Sequence, residues 1–134
     1  MNTGIPYEIV VQSIFQEILD KEVPGTITVE HNVTLQGCTT SHQIDVLWRF
    51  SVAGITYLSI VQAKDWASRI TKEKVLAFRA VLDDLPDQPR GVIVTQTGFQ
   101  SGAKKLAEIR GIKLYHLRQS LPILSSINST VRVL

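Results

Sequence analysis

Residues 55–64 read ITYLSIVQAK, a β-branched, largely apolar run that closes on Gln62 and Lys64. Gly54, just before it, marks a turn, and residues 42–50 (HQIDVLWRF) have the same strand character upstream. Residues 26–35 (TITVEHNVTL) alternate and are again rich in β-branched side chains. Three strands joined by short links form an antiparallel meander.

Downstream the period changes from two to 3.6. Thr71 is a candidate N-cap, with Lys74 rather than an acid three residues on. Val75, Phe78, Leu82 and Leu85 then follow at helical spacing until Pro86. GVIVT (91–95) is a short continuous apolar run, as in a strand covered on both faces. A helix over about 99–110 stops at Gly111, and IKLYHL (112–117) closes the sheet. Ahead of the meander, Tyr7, Val11, Ile14 and Ile18 share one helical face, and Pro24-Gly25 ends that helix. The order αβββαβαβ predicts an α/β fold, a mixed β-sheet flanked by helices. Residues 1–120 form one domain; from Arg118 onward, with Pro122 and several serines, no clear element is read, and 121–134 form a C-terminal tail.

The 134 residues suffice for one domain with a real core, and 44% apolar with 19% charged residues is a globular composition. The net charge of +2 is compatible with nucleic-acid binding without requiring it. A single cysteine, Cys38, excludes an internal disulfide framework and a cysteine zinc site. Met1–Tyr7 lacks a signal peptide's basic start, and no run approaches the ~20 apolar residues of a membrane span. A cytoplasmic protein without membrane contact is expected. Ser41 and Ser59 lack a triad, no glycine loop cradles phosphate, and His31 and His116 have no metal-ligand spacing.

Chemistry converges on three positions. Strand residues two apart share a face, so Gln62 and Lys64 project together while Ala63 turns away. Asp45 lies on the neighbouring strand between Ile44 and Val46, where a carboxylate is costly without a partner or a metal. The set suits phosphodiester hydrolysis. Asp45, the amide oxygen of Gln62 and the main-chain carbonyl of Ala63 are candidate ligands for Mg²⁺ or Mn²⁺, and Lys64 is the candidate to act on water and phosphate. A structural reading of each stands beside this one: Asp45 paired to Arg49 or Lys64, Gln62 a packing residue, Lys64 a solvated strand end. His42 faces the other side of the strand from Asp45 and is not expected to be a ligand.

This arrangement resembles the PD-(D/E)XK nuclease superfamily and its Mrr-like restriction endonuclease branch, with Asp45 and then Gln62-Ala63-Lys64 as an Asp…Gln-x-Lys signature. Gly4-Ile5-Pro6-Tyr7-Glu8 is similar to that family's helix start, which makes Glu8 a further catalytic candidate; a capping role at a helix dipole explains Glu8 equally. Residues 91–117, with Val94-Thr95, Phe99, Ala103 and Gly111-Ile112, resemble its last β-α-β unit. The chain departs from the pattern just before Asp45, where Thr40-Ser41-His42-Gln43 replaces a Gly-x-Gly loop.

The resemblance implies a restriction-endonuclease-like fold, DNA as substrate, a divalent metal as cofactor and a possible homodimer. A non-cleaving DNA-binding module and a branched-DNA resolvase on the same fold are the alternatives. Arg69, Lys72, Lys74, Lys104 and Lys105 are candidate phosphate contacts, each also explicable as a solvated helix face. Trp66 is either a stacking residue or a rim hydrophobe, and Phe99 is assigned to the core. With no recognition domain visible, target choice is expected to rest on a separate domain or subunit, or on DNA structure.

Overall fold

A computed structural model describes residues 6–23, 27–64, 67–118 and 131–133. The Gly4-Ile5 start, the Pro24-Gly25 stop, Trp66 and residues 119–130 of the tail lie outside the described residues. The elements are α1 (Tyr7–Glu22), β1 (Glu30–Gln36), β2 (Ser41–Val52), β3 (Ile55–Lys64), α2 (Lys72–Asp84), β4 (Arg90–Thr95), α3 (Ser101–Arg110), β5 (Lys113–Leu117) and β6 (Val131–Val133).

The strands form one mixed sheet in the order β1-β2-β3-β4-β5-β6. β1, β2 and β3 pair antiparallel, β3, β4 and β5 pair parallel, and β6 returns antiparallel to β5. The expected order is therefore observed, with β6 added at the edge; its residues carry no periodic signal that announces a strand.

Alternation along the strands builds two cores. Ile44, Leu47, Leu58, Ile60 and Ile93 pack with Val75, Phe78 and Leu82 of α2 and Ala103 and Ala107 of α3. Val46, Val61, Ala63, Val92 and Val94 pack on the other face with Tyr7, Val10, Val11, Ile14 and Phe15 of α1. Burying each such aliphatic side chain stabilises by about 1.5–3 kcal/mol, so two filled faces fix which way every strand residue points. Thr71 caps α2, its hydroxyl accepting the N–H of Lys74, and Gly111 in the left-handed conformation ends α3.

The largest boundary difference from expectation is at the start of β1. The strand expected from Thr26 begins at Glu30. Ile27 and Val29 are buried as a strand would bury them, but their backbone groups bond to α1. The Gln16 amide donates to Ile27 O at 2.8 Å, Gln16 Oε1 accepts the N–H of Val29 at 2.8 Å, and Gln12 donates to Val29 O at 2.9 Å. Side chains of α1 thus take the place of a neighbouring strand. Among the described residues no helix is long and apolar enough to cross a membrane.

Candidate active site

The site forms where β2 changes partners. β2 pairs with β1 from Ser41 to Leu47 and with β3 from Val46 to Val52. Asp45 falls in neither ladder. Its register partner on β1 is Asn32, which adopts φ +56°, and one step beyond the Val46–Val61 pair it meets the level of Gln62. The alternation loses step at the same place: Ile44 and Leu47 pack toward α2 and α3, and Val46 packs toward α1. β2 therefore kinks at Asp45, and the β1–β2 hairpin turns toward α2, where Val33 and Leu35 pack on the core.

In the gap so opened, the Asp45 carboxylate takes the place of a backbone acceptor. The N–H of Ala63 donates to Asp45 Oδ2 at 3.0 Å, and Lys64 Nζ lies 3.3 Å from the same oxygen. Among the described residues, Asp45 Oδ1 makes no hydrogen bond. The side chains are 12% exposed for Asp45 and 29% for Lys64, so the pair is partly covered but still reaches solvent. The amide of half-buried Gln62 likewise has no hydrogen-bond partner among the described residues. Ala63 points to the α1 face, as its alternation requires. No ion pair joins Arg49, which is exposed, to Asp45.

The strand ends beside this pair are stitched together. Lys64 is level with Thr95 of β4, whose side chain is fully buried. Thr97 Oγ1 donates to Ser68 O at 2.9 Å, Ile70 N–H to Gly98 O at 2.9 Å, and Gln100 N–H to Ile70 O at 3.0 Å. These bonds fix the segment that carries exposed Arg69 and leads to exposed Lys72, next to the carboxyl end of β3. Lys74 is half-buried in the first turn of α2.

Glu8 reaches the same end of the molecule by another route. The Tyr7 hydroxyl donates to Leu117 O at 2.7 Å, which places the start of α1 at the carboxyl ends of the parallel strands. Glu8 is half-buried there, with no hydrogen bond or ion pair to Asp45 or Lys64. Its helix covers the face opposite Gln62 and Lys64. Lys104 and Lys105 are farther away: they line a hollow with Arg90 and Lys113, at the starts of β4 and β5. His31 and Glu30 are exposed, and the His116 ring bonds to Gln96 O at 2.9 Å.

Among the described residues no group of three or more His, Cys, Asp or Glu could hold a metal. Amide or main-chain oxygens such as those of Gln62 and Ala63 are, among the described residues, the oxygens beside this carboxylate.

Sequence reasoning missed a second polar cluster. His42 Nε2 lies 2.8 Å from Asp84 Oδ2 at the end of α2, and Asp84 Oδ1 accepts both the N–H and the hydroxyl of Thr39 at 3.0 Å. The His42 hydrogen bond holds the Asp84 carboxyl below its ordinary value; burial opposes the shift and the Thr39 bonds add to it. The signal available in the sequence was Asp83-Asp84 at a helix carboxyl end, where the dipole disfavours acids.

A restriction endonuclease family model (Mrr_cat) matches residues 9–120. Comparison with curated protein sequences gives no match. Among solved structures the chain is similar to a protein of unknown function, AF1548, with TM-score 0.58 and 22% identity over 80% of this chain and 56% of that one. It is similar to the MspJI restriction endonuclease, in complex with a 27-mer oligonucleotide, with TM-score 0.54 and 18% identity over 81% of this chain and 24% of that one. A repair endonuclease from Pyrococcus abyssi gives TM-score 0.53 and 16% identity over 81% and 47%. At these identities the likeness is one of fold. The chain spans about a quarter to a little over half the length of these structural relatives.

Proposed function

Because this chain belongs to the Mrr_cat restriction endonuclease family, with the fold of the PD-(D/E)XK nucleases, we propose that it is a divalent-metal-dependent DNA endonuclease working through Asp45, Gln62 and Lys64. The observation that carries this reading is the division of labour within one carboxylate. Asp45 Oδ2 is held by Ala63 N–H and Lys64, and Oδ1 makes no hydrogen bond among the described residues. A carboxylate so oriented, level with the Gln62 amide, is one of a preorganised pair of hard oxygen donors.

Asp45, Gln62 and the Ala63 carbonyl would hold Mg²⁺ or Mn²⁺; Glu8, at the same end of the sheet with no hydrogen bond or ion pair to Asp45 or Lys64, stands outside that set. When bound, such an ion neutralises charge on the scissile phosphate and lowers the pKa of water. Lys64 keeps the Asp45 carboxylate in place and sets a positive charge where negative charge builds on the phosphoryl oxygens. Its ammonium also orients the attacking water. Arg69, Lys72 and Lys74 grip phosphates beside the site, and Lys104 and Lys105 belong to a more distant surface. Target choice falls to a second copy, domain or subunit, consistent with a chain that spans only part of its structural relatives.

Incubation of the purified protein with supercoiled plasmid and linear duplex in Mg²⁺, Mn²⁺ or EDTA tests the reading. Cleavage in either metal and none in EDTA is the expected result. DNA retained in a gel shift yet uncut in every metal would instead establish a non-cleaving DNA-binding module. That second reading draws on the Lys64–Asp45 ion pair, which satisfies the carboxylate without an ion, and on the amide that stands where an acid could.

A further inference from the structure

Helix α2 ends on Asp83-Asp84, at the pole where its dipole opposes negative charge. Asp83 is answered within the helix: Arg79 donates to its Oδ1 from Nε at 3.0 Å and from Nη2 at 2.8 Å. Asp84 is spent elsewhere. It clasps the β1–β2 hairpin through His42 and Thr39, and its main-chain oxygen accepts the N–H of Cys38 at 2.8 Å. The approach leaves no room at the turn, since a Cβ on Gly37 would fall 2.2 Å from Asp84 Oδ2. His42 and Asp84 are 17% and 14% exposed, so this contact is well shielded.

The clasp lies three residues from Asp45, on the stretch of β2 that has left β3. The Cα pairing of β2 with β3 begins only at Val46, so before that point the strand's course is set by β1 and by whatever anchors the hairpin. Two attachments therefore bracket Asp45. On one side are Ala63 N–H and Lys64; on the other is the hairpin, fastened to α2. The apolar contacts of Val33, Leu35 and Ile44 also hold the hairpin to the core.

We propose that Asp84 and His42 are positioning residues for Asp45: they anchor the β1–β2 hairpin on α2 and thereby hold the Asp45 carboxylate against Ala63 and Lys64 for metal binding. The metal consequence rests on the nuclease reading; the structural consequence does not, and the two are measured separately. The variants are Asp84→Ala, His42→Ala and His42→Gln, whose amide can still donate to Asp84, with Asp83→Ala as the neighbouring control. Hydrogen exchange at the Ala63 amide reports the Asp45 contact directly, against the Ile93 amide as a reference for global opening. A Mn²⁺ binding titration reports the site.

In Asp84→Ala and His42→Ala, Ala63 protection is expected to fall roughly tenfold with Ile93 protection preserved. The Mn²⁺ dissociation constant is expected to rise about 10-fold or more. His42→Gln should recover most of both, and Asp83→Ala should leave both unchanged. Wild-type Ala63 exchange in folded Asp84→Ala and His42→Ala overturns the proposal. A wild-type protein that binds no Mn²⁺ overturns the nuclease reading and with it the metal arm of this one, and the Ala63 exchange still decides the positioning.

Discussion

Asp45 accepts a hydrogen bond from the main-chain N–H of Ala63 at 3.0 Å, across the boundary between β2 and β3 where their regular pairing has already stopped. A side-chain oxygen thus completes a backbone ladder. The bond also turns the other carboxylate oxygen outward and brings Lys64 Nζ to 3.3 Å.

On the proposed function Gln62 is a neutral donor, and a charged one in its place would bind a cation more tightly. Gln62→Glu is expected to lower the metal concentration for half-maximal cleavage about tenfold, ~1.4 kcal/mol of binding. Titration of cleavage rate with Mn²⁺ checks this. An unchanged midpoint would remove Gln62 from the ligand set.

Arg69 and Lys72 stand exposed beside the carboxyl end of β3, and Lys104 and Lys105 line the hollow with Arg90. Removing a side chain that neutralises one phosphate should flatten the slope of log affinity against log salt by about 1. Arg69→Ala and Lys72→Ala are expected to do so, and Lys104→Ala with Lys105→Ala to leave the slope as it was. Fluorescence anisotropy with a labelled duplex in EDTA, across a salt series, separates the pairs.

The Asp84 carboxyl is held below its ordinary value of 3.8, first by His42. A depressed carboxylate pKa means that the unfolded chain takes up this proton more readily than the folded one. The stabilisation is therefore fully present above 3.8 and is lost as pH falls through the lower, folded-state value. Urea unfolding of wild type and Asp84→Ala should show a gap near neutral pH that closes in acid below that value. A gap that persists there would assign the contribution of Asp84 to something other than its charge.

Leu47 is fully buried beside the kink, where it packs toward α2 and α3. Leu47→Ala is expected to destabilise the fold by about 2–5 kcal/mol, through the transfer energy of the deleted atoms and the cavity left behind. Chemical denaturation should show a lower midpoint at an unchanged slope.

What the sequence showed follows from what local periodicity can carry. The runs through Val75, Phe78 and Leu82, GVIVT at 91–95, and ITYLSIVQAK at 55–64 each declare a period, and with it which faces meet. Gln62 and Lys64 were therefore legible as one patch, and Asp45 as its neighbour on the adjoining strand. Three features were not legible. Ile27 and Val29 have strand-like side chains but bond to Gln16 and Gln12, a tertiary choice that propensity does not record. The kink at Asp45 depends on the register of β2 against two different partners. The Asp84–His42 contact joins residues 42 apart in sequence, so no local pattern announces it.

The most direct measurement is the rate at which wild type, Asp45→Ala and Lys64→Ala nick supercoiled plasmid at saturating Mn²⁺, with melting curves recorded alongside. Both variants should remain folded, with Asp45→Ala inactive and Lys64→Ala slowed by about 10²–10³-fold. Undiminished nicking by either folded variant would contradict the assignment of this site.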